Sequence, residues 1–249
     1  MMRTANPALN SKTFRATGHI GGAAEAMTIQ GTVNKTAVLL ILCLVTAGWT
    51  WKLFFSTGDP ATVSKYILIG AIGGFVVALV TIFKKEWAPI SAPVYALLEG
   101  LFLGAISAIF EARFPGIVVQ AVALTFGTLF ALLVAYRSGI IRATEKFKLG
   151  VVAATGGIAL VYFVTIVLGF FGVRMPLIHE SGTIGILFSL FVVVIAALNL
   201  VLDFDFIEHG AEQGAPKFME WYAAFGLVVT LIWLYIEILR LLAKLNSRR

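Results

Sequence analysis

The chain has 249 residues, of which 59% are hydrophobic and 13% charged, against roughly 25% charged in a soluble domain. With a mean hydropathy of +0.95, it holds more apolar surface than a soluble fold of this size can bury. That excludes an ordinary soluble enzyme, a disordered tail and a nucleic-acid-binding domain, and assigns the net charge of +6 to basic loops that orient a membrane bundle.

Residues 1–34 read as a flexible polar arm, with Gly21 and Gly22 in its middle and Arg3, Lys12 and Arg15 along it. The first apolar run starts after Lys35, and no small-residue cleavage motif ends it. It is therefore predicted to be a retained first span rather than a signal peptide. Seven apolar runs follow, at about 36–55, 63–83, 93–112, 117–136, 149–171, 182–202 and 221–243. Each is about 20 residues long, enough to cross the hydrocarbon layer at 1.5 Å per residue. Turn chemistry separates them: Gly58-Asp59-Pro60, Lys84-Lys85-Glu86 with Pro89 and Pro93, Phe114-Pro115-Gly116, Met175-Pro176 and Glu180-Ser181-Gly182. The runs lack the two-residue alternation of barrel strands and the polar face of soluble helices. The predicted fold is an all-α seven-transmembrane-helix bundle over residues 35–245, with a short basic tail at 246–249.

Lys84, Lys85, Arg137, Arg142, Lys146, Lys148 and Lys217 fall on the side of the basic arm. Lys52, Lys65, Arg113 and Arg174 fall on the other. The positive-inside rule places the amino terminus in the cytoplasm. Arg240, Lys244, Arg248 and Arg249 run against it: either the tail is tolerated outside, or the last segment stops short of a full crossing.

Cys43 is the single cysteine, so no disulfide forms within the chain. No Cys/His metal spacing, Ser-His-Asp order, zinc-protease motif or phosphate loop is present. The expectation is a non-enzymatic protein without a cofactor.

An ionisable group at a helix centre costs about 2.5–3.5 kcal/mol on insertion scales, so each one is informative. Glu99 lies about 9 Å into the third run. It is either a proton or cation ligand facing the bundle interior, or a protonated acid hydrogen-bonded to a neighbouring helix. Gly100 and Gly104 beside it form a small-xxx-small pair that invites close helix packing. Asp203 and Asp205 close the sixth run. Their spacing turns them about 200° apart on a helix, so they cannot chelate one ion together. As separate oxygen ligands for a hard cation such as Ca²⁺, they are the metal-site candidates. At a helix C-terminus they oppose the dipole and call for a compensating cation. Chain order supplies Lys84 and Lys85 at the same cytoplasmic end, and protonation of such an ion pair gates by pH. Glu237, three residues before Arg240, is explained by a local helix pair.

These stretches resemble a bacterial branch of the Bax inhibitor-1-like family. The resemblance runs through Val80–Pro89, Tyr95–Ser107, Gly150–Gly157, Asn199–Glu208 and Glu220–Leu242, and covers about residues 28 to 245. It implies seven helices with the last one central, an inner-membrane location and a pH-sensitive Ca²⁺ leak. In that family an acid near the end of the sixth helix pairs with a second acid in the last helix, and an arginine ending the second helix latches them. Asp203 matches the first acid, and Lys84 or Lys85 the latch by type and place. The second acid is missing: its position falls on Thr230, with Asp205 or Glu99 as candidate substitutes. The expected partners are the lipid bilayer and Ca²⁺ or protons, and no nucleic acid. The alternative is a non-transporting regulator that binds other membrane proteins, such as a membrane protease.

Overall fold

The structure, a computed structural model, describes residues 26–172 and 182–248. Residues 1–25 of the expected arm, the turn around Pro176 and Arg249 lie outside the described residues. Seven helices account for almost everything else: α1 (Ile29–Thr57), α2 (Pro60–Phe83), α3 (Ala88–Arg113), α4 (Ile117–Arg137), α5 (Glu145–Phe170), α6 (Thr183–Glu212) and α7 (Met219–Asn246). A single 3-10 turn, Lys85–Trp87, leads into α3. Among the described residues there is no strand, only an isolated bridge between Ala26 and Pro216.

The helix ends follow local chemistry. Thr28 caps α1 by accepting from the Gly31 amide at 2.9 Å. Gly58 closes α1 at φ 66°, a left-handed conformation that side chains disfavour. Asp59 caps α2 through the Ala61 amide at 2.8 Å, with Pro60 in the first turn, where its missing N–H costs nothing. Thr144 caps α5.

Several boundaries differ from expectation. α1 begins at Ile29, inside the predicted arm, because Thr28 supplies a cap that hydropathy does not report. α3 begins at Ala88, so Pro89 sits in its first turn and Pro93 lies within the helix. The largest difference is α6, which continues to Glu212. Asp203 and Asp205 therefore lie two turns or more inside a helix, and the dipole argument for a cation at its end does not apply. Hydropathy falls there, but no proline or glycine intervenes before Gly210. Likewise α5 begins at Glu145, which places Lys148 in a helix and not in a loop.

The helices divide between two compact units. One holds α4, α5, α6 as far as Asp205, and α7 from Thr230. Its apolar core is Ile158, Val192 and Ile195, with Trp233 and Phe188 against them. The other holds α1, α2, α3, the end of α6 and the start of α7. There α3 packs on both α1 and α2. The expected small-residue contacts are part of that packing. A Cβ on Gly100 would strike the Cys43 carbonyl, and one on Gly104 the Ala47 carbonyl. The Thr46 hydroxyl then reaches the Leu97 carbonyl at 2.9 Å. Bare helix surfaces let the backbones meet.

All seven helices are long and apolar enough to span a membrane. α7 is the most buried, at 61% of its most apolar stretch against 11% for α5. Large apolar side chains such as Leu44, Phe75 and Phe163 are exposed, as lipid-facing residues are.

Candidate functional site

Asp203 and Asp205 point to different neighbours, as their spacing requires. Asp203 is fully buried. Neither of its carboxyl oxygens completes a hydrogen bond among the described residues, and its polar neighbour is the Thr230 side chain of α7. Asp205 is held by Lys148 of α5, whose Nζ lies 2.7 Å from Oδ2, with both side chains less than a tenth exposed. Glu145 stands 3.8 Å from the same ammonium.

This pairing was not foreseen: the resemblance implies a latch at Lys84 or Lys85, and the cation held here is another. The ammonium on Asp205 comes from Lys148, which was read as a loop charge. Lys84 is exposed where α2 ends, and the Lys85 ammonium sits over the Tyr222 ring, 5.8 Å from its centroid. Both belong to the unit built on α1–α3. The spacing predicts separate oxygen ligands and no joint chelation of one ion by Asp203 and Asp205. The two carboxyls diverge, Asp205 already holds a cation, and no three His, Cys, Asp or Glu side chains converge among the described residues.

Glu99 is half-buried on α3. Its neighbours are the Tyr95 hydroxyl on its own helix and Gly74 of α2, where a Cβ would lie 2.7 Å from Oε1. Gly74 thus makes room for the carboxyl. Tyr95 is fixed in turn by Phe225 in an edge-to-face contact at 4.9 Å.

Two further polar clusters reach beyond what local spacing predicts. Glu220, fully buried in the first turn of α7, takes Lys35 Nζ at 2.5 Å and Lys217 Nζ at 2.8 Å. It also accepts from the Thr28 hydroxyl at 2.8 Å and the Thr28 amide at 3.0 Å. A Cβ on Gly31 would collide with this carboxylate. The second cluster surrounds Glu237. Its pairing with Arg240, at 2.9 Å, is the local contact that the spacing predicts. The Tyr162 hydroxyl of α5 also donates to it at 3.0 Å. The Lys217–Glu220 spacing of three was visible in the sequence. The partners from α1 and α5 were not.

A model of the Bax inhibitor 1 like family matches residues 6–247, nearly the whole chain. The chain belongs to the Bax inhibitor 1 like family. No curated protein and no solved structure matches it. Family membership and seven apolar helices together make it a multi-pass integral membrane protein in contact with lipid. The family resemblance assigned the second acid's position to Thr230, and Thr230 is the side chain beside Asp203. At that position this Bax inhibitor 1 like protein has a hydroxyl where the resemblance implies a second carboxylate.

Proposed function

We propose that the protein is a pH-sensitive cation leak, passing Ca²⁺ across a bacterial inner membrane, with Asp203 as the titrating group. One observation carries this reading: a carboxyl fully buried in a membrane helix with no hydrogen bond to either oxygen. Such a group has no means of holding charge in hydrocarbon. Ionising it requires water or a cation beside it, so ionisation and wetting of the bundle are coupled. Its polar neighbour is the Thr230 side chain of α7, and two residues on along α6, on another face, stands the Asp205–Lys148 ion pair. The sign follows: raising the pH ionises Asp203, recruits water and a cation, and increases the leak. No catalytic step is assigned to the protein, and the distribution of Lys and Arg supports a cytoplasmic amino terminus. The test is Ca²⁺ influx into liposomes holding purified protein and a trapped Ca²⁺ dye. Influx above that of empty liposomes, and sensitive to Asp203→Asn, supports the reading. Influx equal to empty liposomes, or unaltered by Asp203→Asn, overturns it and favours a regulator that binds other membrane proteins.

A further inference from the structure

Within the α4–α7 unit, α5 carries Lys148, Thr155 and Tyr162 at intervals of seven residues, which places them on one helix face. Each meets a polar group from another helix. Lys148 holds Asp205, the Thr155 hydroxyl accepts from Asn199 Nδ2 at 2.9 Å, and the Tyr162 hydroxyl donates to Glu237. α7 repeats the interval with Thr230, Glu237 and Lys244. Thr230 lies beside Asp203. Lys244 donates to the Ser189 hydroxyl at 2.8 Å and the Gly185 carbonyl at 3.0 Å, both on α6. From Asp205 to Ser189 the column covers about 24 Å of helix, most of a hydrocarbon layer of about 30 Å.

One level of the column is apolar. On α5, Ile158 falls between Thr155 and Tyr162. On α6, Val192 and Ile195 fall between Ser189 and Asn199. These three are buried together, and Trp233, between Thr230 and Glu237 on α7, packs against them. An apolar constriction between two polar segments excludes water and so blocks conduction until it is wetted.

We propose that α5, α6 and α7 enclose a proton path, closed at Ile158, Val192 and Ile195 by an apolar gate. The proposal rests on the leak reading for the role of Asp203 and adds protons as a second permeating ion, on a path of their own. Lys148, Arg240 and Lys244 set fixed positive charges along the column, which a divalent cation would have to pass at close range. A proton needs only exchange among carboxyls, hydroxyls and water. Asp203, Thr230 and Thr155 offer such groups on one side of the gate, and Tyr162 and Glu237 on the other. At Glu237 the facing charged or titratable groups are Arg240 on its own helix and Tyr162 on α5, with Lys244 two turns further along α7.

The test uses full-length protein in liposomes carrying a trapped pH dye, with a potassium gradient and valinomycin setting the potential. Val192→Thr exchanges a buried methyl for a hydroxyl at nearly equal volume, and should speed proton influx roughly threefold or more by wetting the gate. Glu237→Gln should slow it about tenfold by removing the carboxyl beyond the gate. Both variants are first checked for an unchanged elution profile and Tm. Unchanged proton influx in both, while Ca²⁺ influx still depends on Asp203, overturns the proton path and leaves the leak reading standing. No influx of either ion through the unmodified protein overturns both. Parallel loss of Ca²⁺ and proton influx in Glu237→Gln overturns the assignment of the path to protons.

Discussion

Glu220 and Asp203 are both acids, both fully buried, and both in apolar helices, yet their surroundings are opposite. Glu220 collects two ammonium groups, a hydroxyl and a backbone amide from Lys35, Lys217 and Thr28. Every lone pair that matters is engaged, and the carboxylate ties the start of α1 to the start of α7. Asp203 has Thr230 beside it and no completed hydrogen bond. A charge surrounded by donors is a structural fixture, because its protonation state has no reason to change. A carboxyl with no completed hydrogen bond is the one whose state can respond to its environment. Burial alone does not separate a sensor from a fastener; the count of donors does.

The comparison can be broken most forcefully at the two fasteners. Lys148→Met leaves Asp205 as an unpaired buried acid, and should cost about 4 kcal/mol of stability, read as a lower Tm in detergent. Glu220→Ala strands Lys35 and Lys217, which still reach water in part, and should cost about 3 kcal/mol. The pH profile of any leak should survive that change in the fraction that folds. Gly104→Ala probes the packing of α3 on α1. Its Cβ meets the rigid Ala47 carbonyl, so a loss of about 2 kcal/mol is expected. Asp203→Asn should have the smallest effect, under about 1 kcal/mol, since no donor or ion pair is lost. A destabilisation by Asp203→Asn as large as that of Glu220→Ala would show that Asp203 is a fastener too.

Much of this was legible before any coordinates. Seven runs of apolar residues became seven helices, because in lipid only a helix or a closed barrel satisfies the backbone and these runs lack the alternation of barrel strands. Glu237 found Arg240 at the spacing of three. Gly100 and Gly104 met a neighbouring backbone. Thr230, located by family resemblance, lies beside Asp203. What escaped was set by two kinds of physics. Helix ends depend on caps and breakers, so α6 runs past its acids and α5 starts before its apolar run. That shift alone turned Lys148 from a loop charge into the buried partner of Asp205. The remaining misses, Lys35 with Glu220 and Tyr162 with Glu237, join helices far apart in the chain, and no local spacing encodes such contacts. The intervals of seven linking Lys148, Thr155 and Tyr162, and Thr230, Glu237 and Lys244, are signals in the sequence of shared polar faces.

The central claim is that Asp203, among the buried acids, makes a cation leak respond to pH. Its most direct test is the profile of Ca²⁺ influx from mildly acidic to mildly alkaline pH in liposomes, for the unmodified protein and for Asp203→Asn. The account predicts influx that climbs with pH in the first and stays flat in the second. A profile that keeps its slope after Asp203→Asn would contradict it.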